Sequence, residues 1–375
     1  MSAVMSEFNT DERRMLADSV AGFVRAAQHG NGVARARALK QGSGEIDPRA
    51  WQEIADLGWL GIAVPEAAGG LGLGVGELAV VAENLGQDGA PEPFVAAVFT
   101  QNVIAACDES ALGQALLAAT ADASSTVAVA WQASGHCLDP LAIETGLVDG
   151  RLTGQRCLVQ PAAADTFVVA VPDTNGLALY RVARDVKGLS VNEQRQVDGS
   201  VVATLSFDGV ALDGADLIAE GETGAAALRR GLAVARIVAS AELLGLADSL
   251  LAMTSDYLAS RKQFGEQLSS FQVLRHRAVD LYIQRQLMAH ALGQAVRACD
   301  RDASLVDIEK AAARAKARCS DAALRIGREA VQMHGAMGYT EEADVGVYLR
   351  RVLTVSAWLG NATAQRREYA RLSDR

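Results

Sequence analysis

The 375-residue sequence has little of what marks several large protein classes. It contains five cysteines, Cys107, Cys137, Cys157, Cys299 and Cys319, odd in number and with no C-x-x-C pair, so neither a disulfide framework nor a zinc site is indicated. Its five histidines, at positions 29, 136, 276, 290 and 334, show no metal-ligand spacing, and no metal is expected. No surplus of positive charge exists: the formal net charge is −10 and the pI is near 5.1, which argues against a nucleic-acid or anionic-lipid binder. Apolar runs long enough to cross a bilayer are missing, and Glu7, Asp11, Glu12, Arg13 and Arg14 break up the first residues, so neither membrane insertion nor export is expected. A cytoplasmic protein is the expectation. No strand leads into a G-x-G-x-x-G turn and then a helix; Gly69-Gly70-Leu71-Gly72-Leu73-Gly74 has neither a preceding strand nor a following lysine and reads as a turn between helices.

The composition, with 50% apolar, 21% charged and 5% aromatic residues, is that of a soluble and mostly helical chain, and the length calls for two or three domains. Acidic Asp11 and Glu12 open an apolar-periodic run to about Gln28. Asp47 followed by Pro48 marks a helix start, a second run extends from Val75 to Leu85 with Gly86 as its terminator, and the pattern stays helical to about residue 122. From about Ser125 to Ile218 the period becomes alternating, as in 126–131, 166–171 and 201–207, with Asp149-Gly150 and Asp198-Gly199 as hairpin turns, which predicts an antiparallel sheet. Long helical patterns return at about 224–259, 271–300 and 305–334. The expected fold is α+β: an N-terminal helical domain (1–122), a middle antiparallel β domain (123–222) and a C-terminal four-helix-bundle-like domain (223–375).

Two segments carry chemistry. Arg261-Lys262-Gln263-Phe264-Gly265 follows one long helix and Phe271-Gln272 opens the next; further on stands Gln332-Met333-His334-Gly335-Ala336-Met337-Gly338-Tyr339. Arg261 offers a fork of donors suited to a diphosphate, Gln263 and Gln272 can pair with adenine or ribose, Phe264 gives an apolar face, and Gly335 permits close backbone approach. Taken singly, the same residues also read as a helix-ending turn and a helix C-cap.

The two segments, in this order, resemble the R-x-Q-F-G…F-Q and Q-x-x-G-G-x-G-Y signatures of the acyl-CoA dehydrogenase family, with Ala336 in place of the second glycine of the latter. The domain order matches as well, and the resemblance spans nearly the whole chain. It implies FAD as cofactor, an acyl-CoA substrate and an electron-transfer flavoprotein as acceptor. It also implies that Arg261, Gln263, Phe264, Gln272, Gln332, Gly335 and Ala336 reach across to a neighbouring subunit's FAD.

The residues with which such a protein holds its own flavin depart from the family pattern. Trp131-Gln132-Ala133-Ser134-Gly135-His136 stands where the family has T-E-P-x-A-G-S-D, and Cys157-Leu158-Val159 where it has W-I-T. Many members take the substrate's α-proton with the glutamate of a Y-E-G-T turn while hydride passes to the flavin. Here the turn is Trp358-Leu359-Gly360-Asn361, with Arg350, Gly360 and Gln365 in register, so Leu359 fills the base position. Other members carry the glutamate before an arginine on the first long bundle helix, and the matching residue before Arg236 is Ala235. Glu242 shares a face with Ala235 but is displaced by about 10 Å along the helix, which leaves it a weak candidate base. Arg351 stands where the family usually has an acid, so a changed contact is expected there.

The resemblance is thus to the small subunits of heteromeric acyl-CoA dehydrogenases, of the pimeloyl-CoA or steroid side-chain α2β2 kind, whose partner supplies the glutamate. Two alternatives stay open: a self-sufficient homomeric flavoenzyme using Glu242, and a catalytically dead structural subunit.

Overall fold

The computed structural model describes residues 11–25, 31–42, 46–107, 110–135, 137–143, 146–148, 150–173 and 175–374. Helices α1 (Asp11–Arg25), α2 (Gly32–Gln41), α3 (Pro48–Asp56), α4 (Val75–Asp88), α5 (Phe94–Ala105) and α6 (Ala111–Ala121) come first. The helix start read at Asp47-Pro48 holds: the Asp47 carboxylate accepts from Arg49 N at 2.9 Å, and proline, lacking an N–H, occupies the first helical position. Gln28, the expected end of the first helix, lies outside the described residues.

Gly86 does not terminate its helix. α4 runs on to Asp88 and ends at Gly89, whose φ of +70° is the left-handed cap. Gly86 instead faces α7 (Gly221–Ser260), where a Cβ would collide with the Glu242 carbonyl, and Gly245 meets the Glu83 carbonyl in the same way from the other side. The two glycines let α4 and α7 cross backbone to backbone. This crossing fixes the depth at which Glu242 sits.

Among the described residues, eight strands follow in two four-stranded sheets. One has the order β1 (Val127–Ala130), β4 (Thr166–Asp173), β5 (Gly176–Ala183), β8 (Leu217–Ala219). The other has the order β2 (Leu147–Val148), β3 (Arg151–Val159), β7 (Val201–Ala211), β6 (Leu189–Arg195). Hairpin pairing is seen for β2–β3 around Gly150 and for β6–β7 around Asp198-Gly199, while Asp149 lies outside the described residues. The expectation of an antiparallel sheet needs one correction, because β1 and β4 pair in parallel, with Val127 opposite Thr166. The chain leaves β1, builds β2 and β3 in the other sheet, and returns beside β1 in the same direction. Turn signals report only adjacent strands and are silent on such a crossover.

β4 alternates between two cores. Phe167, Val169 and Val171 join the cluster between the sheets, and Val168 and Ala170 join the larger cluster shared with the helices. The outer sheet leaves its β6 edge mostly exposed.

α7, α8 (Gln272–Asp300), α9 (Leu305–His334), α10 (Asp344–Ala357) and α11 (Ala362–Ser373) form the bundle, and a short hairpin of β9 (Lys262–Gln263) and β10 (Glu266–Gln267) separates α7 from α8. α7 is long and apolar enough to cross a membrane by length and composition, but 72% of its most apolar window is buried inside the protein. Its hydrophobic stretch is spent on the core.

Candidate functional site

At one end of the bundle the two sequence motifs meet. Tyr257, in the last turn of α7, stacks on His334, the last residue of α9, with ring centroids 4.5 Å apart and 24° from parallel. Arg261 caps α7 one turn beyond Tyr257, and Gly335 follows His334, so segments some seventy positions apart share one surface. His334 is anchored through Nδ1 to the Ala330 carbonyl at 2.7 Å, a packing role; among the described residues no group of side chains has the makings of a metal site.

The β9–β10 turn is built from Phe264 at φ +56° and Gly265 at φ +83°, two successive left-handed residues. Such a turn suits glycine or asparagine, and a phenylalanine in it is strained by about 1 kcal/mol. Phe264 is nonetheless 90% exposed, and its ring meets that of Phe271 edge-on with centroids 6.1 Å apart. Arg261, Gln263, Gln272 and Gln332 are exposed as well, and among the described residues their side chains form no hydrogen bond or ion pair. Gly335 and Ala336 are exposed as well, and Gly335 has a φ of +61° with open space around it.

At the far end of α10, Leu359 is 2% exposed with φ +58°, followed by Gly360 at φ +100° and by Asn361, which caps α11 through Ala364 N at 3.0 Å. The Leu359 carbonyl accepts from Gln365 Nε2 at 2.6 Å and from the buried Arg236 Nε at 3.3 Å. Lys316, fully buried, donates to the carbonyls of Val355 and Ser356 at 2.9 and 3.1 Å and to Ser320 Oγ at 3.1 Å. Burial pulls its amine down to about 7. The turn therefore rests on two buried basic side chains whose hydrogen bonds go to backbone carbonyls and a hydroxyl, and among the described residues no carboxylate is bonded to either. Lys316 was missed in the sequence, although its place in the run Ala311, Ala312, Ala313, Ala315, Ala317 of α9 is a readable sign of a lysine on a buried face.

A cavity of about 360 Å³ opens between α2, the start of α5, the loop after β3, the β6–β7 turn and α10. Glu242 and Trp358 line it, while neither Leu359 nor Ala235 does; both are buried core residues. Glu242 Oε1 accepts from Arg351 Nε at 2.6 Å, and Arg351 Nη1 reaches Asp198 in the β6–β7 turn at 3.2 Å. The changed contact expected at Arg351 is thus a bridge between three elements inside the chain: its own helix α10, Glu242 of α7 and Asp198 of the β6–β7 turn. Burial pushes the Glu242 carboxyl up against the opposing pull of Arg351, and the two carboxylates hold the guanidinium well above its ordinary range.

Residues 10–123 match the family model described as Acyl-CoA dehydrogenase, N-terminal domain, and residues 222–373 match Acyl-CoA dehydrogenase, C-terminal domain. The chain belongs to the acyl-CoA dehydrogenase family. It is 29% identical over 368 residues to benzylmalonyl-CoA dehydrogenase of Aromatoleum aromaticum, covering 92% of this chain and 93% of that one. A chain of the Tcur3481-Tcur3483 steroid ACAD, in a variant form, superposes with a TM-score of 0.85 at 30% identity over 99% of this chain and 98% of that one. A chain of the ChsE4-ChsE5 complex from Mycobacterium tuberculosis gives 0.86 at 25% identity over 97% and 98%.

FAD is the cofactor of acyl-CoA dehydrogenases. The exposed donor set around Arg261 has the chemistry of a diphosphate and adenine site, with guanidinium, amides, a ring and an open glycine. The segments 131–135 and 157–159, which stand where the family pattern holds a chain's own flavin, offer fewer free donors. Cys157 N is spent on the Gln132 carbonyl at 2.8 Å, Leu158 takes φ +55° at a bulge in β3, and Trp131 and Gln132 are buried; His136 lies outside the described residues. Beneath them Arg156, also unforeseen, gives Nε and Nη2 to the Ala170 carbonyl at 3.1 and 2.6 Å, and burial draws it down to about 10.

Proposed function

We propose that this acyl-CoA dehydrogenase chain is the non-catalytic subunit of a heteromer, in which it completes the FAD site of a partner subunit that carries the catalytic glutamate. FAD bound there supplies hydride acceptance during α,β-desaturation of an acyl-CoA, and the partner's carboxylate takes the α-proton. This chain's Arg261, Gln263, Phe264, Gln272, Gln332, Gly335 and Ala336 hold the diphosphate and adenine end. An electron-transfer flavoprotein as acceptor and a cytoplasmic location complete the reading.

The observation that carries it is the contrast between two ends of one chain. A strained, 90% exposed Phe264 and exposed donors with no partner among the described residues stand at one end, while a buried Leu359 fills the position that the family pattern gives to the base at the other. The relatives described as the Tcur3481-Tcur3483 steroid ACAD and the ChsE4-ChsE5 complex support a two-chain assembly by their names, and a steroid-type acyl group by the first.

The test is flavin stoichiometry. The chain expressed alone is expected to be colourless, and co-expressed with its dehydrogenase-like partner to give a yellow assembly with about one FAD per heterodimer. A yellow homo-oligomer with one FAD per chain rejects the proposal. Glu242 on the cavity wall favours a second reading, a homomeric flavoenzyme with Glu242 as base. That reading requires turnover by the chain alone and its loss in Glu242→Gln.

A further inference from the structure

Gly335 and Ala336, two members of the half-site offered to the partner's FAD, sit on the turn Gly335–Tyr339, and most of the residues from there to the start of α10 are exposed. An exposed loop presents its groups to a ligand reproducibly only when its backbone is held. Two of the fixings are local. Gly338 packs on α9 so closely that a Cβ would come within 2.6 Å of the Val331 carbonyl, and Thr340 gives its N–H and its hydroxyl to the Met337 carbonyl at 3.1 and 2.9 Å. A third comes from near the start of the chain. Arg37 of α2 has Nη2 3.1 Å from the carbonyls of both Glu341 and Glu342, and 2.7 Å from the carboxylate of Asp344 in the first turn of α10. Lys40, one turn on along the same face of α2, pairs with Glu341 Oε1 at 2.9 Å, and Arg350 of α10 reaches Glu341 Oε2 at 3.6 Å. Donation to two successive carbonyls fixes backbone rather than a side chain alone.

α2 can serve as a fixed support because it is anchored independently of this loop. Arg35, two residues before Arg37 and so on the opposite side of the helix, is buried against Glu92 at 2.6 Å and Asp88 at 3.3 Å, and Gly32 N donates to Asp88 at 2.8 Å. At the other end of α2, Arg195 of β6 donates to the Leu39 and Gly42 carbonyls at 2.9 and 2.7 Å. Exposed ion pairs of the Arg37 and Lys40 kind contribute little to stability. Their effect is placement, because three cations converge on Glu341, Glu342 and Asp344.

We propose that Arg37 is a positioning residue for the FAD half-site: it holds the segment 341–344 against α2 and so fixes how Gly335 and Ala336 are presented to the partner's FAD, with Lys40 in support. The inference rests on the half-site reading, and it adds a helix from the start of the chain to a site whose other residues all lie beyond position 260.

Two measurements test it. Amide hydrogen exchange on the full-length chain alone reads the loop without flavin: in Arg37→Met the amides of 336–343 are expected to exchange about fivefold faster, with a melting temperature within about 2 °C of the wild type. In the heteromer, FAD is expected to dissociate about three- to tenfold faster from Arg37→Met, and Arg37→Lys, whose ammonium reaches some of the same acceptors, to fall between that variant and the wild type. Arg261→Met, which alters the half-site itself, is the control. Unchanged exchange at 336–343 overturns the proposal, and so does faster exchange spread over the whole chain, the mark of a general loss of stability. FAD release unchanged in Arg37→Met but faster in Arg261→Met overturns it while the half-site reading stands. Release unchanged in both variants removes the half-site reading, and the inference with it.

Discussion

The Tyr257 ring lies 24° from parallel to that of His334 at 4.5 Å, and this stack holds the two halves of the exposed donor set in one frame. Arg261 rides on the helix that ends just after Tyr257, and Gly335 on the helix that ends at His334. An aromatic pair of this geometry contributes about 0.5–1.5 kcal/mol beyond its burial. Tyr257→Leu is therefore expected to leave the chain folded, with a melting temperature a few degrees lower, and to loosen FAD in the heteromer about three- to tenfold. Flavin fluorescence on dilution measures the second effect. Unchanged retention would show that the two segments do not act as one site.

Phe264→Gly separates the needs of the fold from those of the interface by giving them opposite signs. Glycine accepts φ +56° without strain, so the isolated chain gains about 1 kcal/mol in urea unfolding. The heteromer loses the ring that the strain maintains, and its FAD is expected to dissociate about tenfold more readily. A ring that served only local packing would lose stability in the first experiment and change nothing in the second.

Local chemistry made part of this legible in the sequence. Asp47-Pro48 announces its helix because cap and proline act within a single turn, and Asp198-Gly199 marks its hairpin for the same reason. The residues around Arg261 and Gly335 that the sequence singled out are exposed, as a surface site requires, because each short motif lies just past the end of a helix. Gly86 was misread since its need for a missing Cβ comes from α7, more than 150 residues away. The Glu242–Arg351–Asp198 bridge draws on a helix, a second helix and a hairpin turn, and no spacing rule joins such positions. The parallel pairing of β1 and β4 was hidden for the same reason, because register between non-adjacent strands is set by the packed whole.

The crossing of α4 and α7 gives a stability prediction of its own. A Cβ at Gly245 would overlap the Glu83 carbonyl and lie 2.8 Å from Gln87 N, so backbone rather than a flexible side chain must yield. Gly245→Ala is expected to cost about 1–3 kcal/mol despite the better helix propensity of alanine, read as a lower urea midpoint at unchanged slope. Gly22, whose Cβ would meet nothing, is the control: Gly22→Ala in α1 is expected to be neutral or to stabilise by about 0.5–1 kcal/mol.

The buried amine of Lys316 predicts a pH dependence whose sign follows from linkage. Its ordinary value of 10.5 is lowered to about 7 in the fold, because burial outweighs the carbonyls of Val355 and Ser356 that favour the ammonium. Between about pH 7 and pH 10 the unfolded chain thus holds a proton that the folded chain has given up, and stability rises with pH across that window, by at most about 1.4 kcal/mol per pH unit. Below pH 7 both states are protonated and the contribution is flat. The neighbouring Cys319 thiol, pushed up to about 12 by burial, stays protonated in the fold while the unfolded thiol ionises near its ordinary 9.0, so it adds an opposing slope towards the top of the window that is common to the wild type and to a Lys316 variant. Urea unfolding of the wild type and of Lys316→Met from pH 6.5 to 9.5 isolates the effect, because every other titrating group is common to both. The wild type is expected to gain stability relative to the variant as pH rises, and a constant difference would mean that Lys316 stays charged inside the bundle.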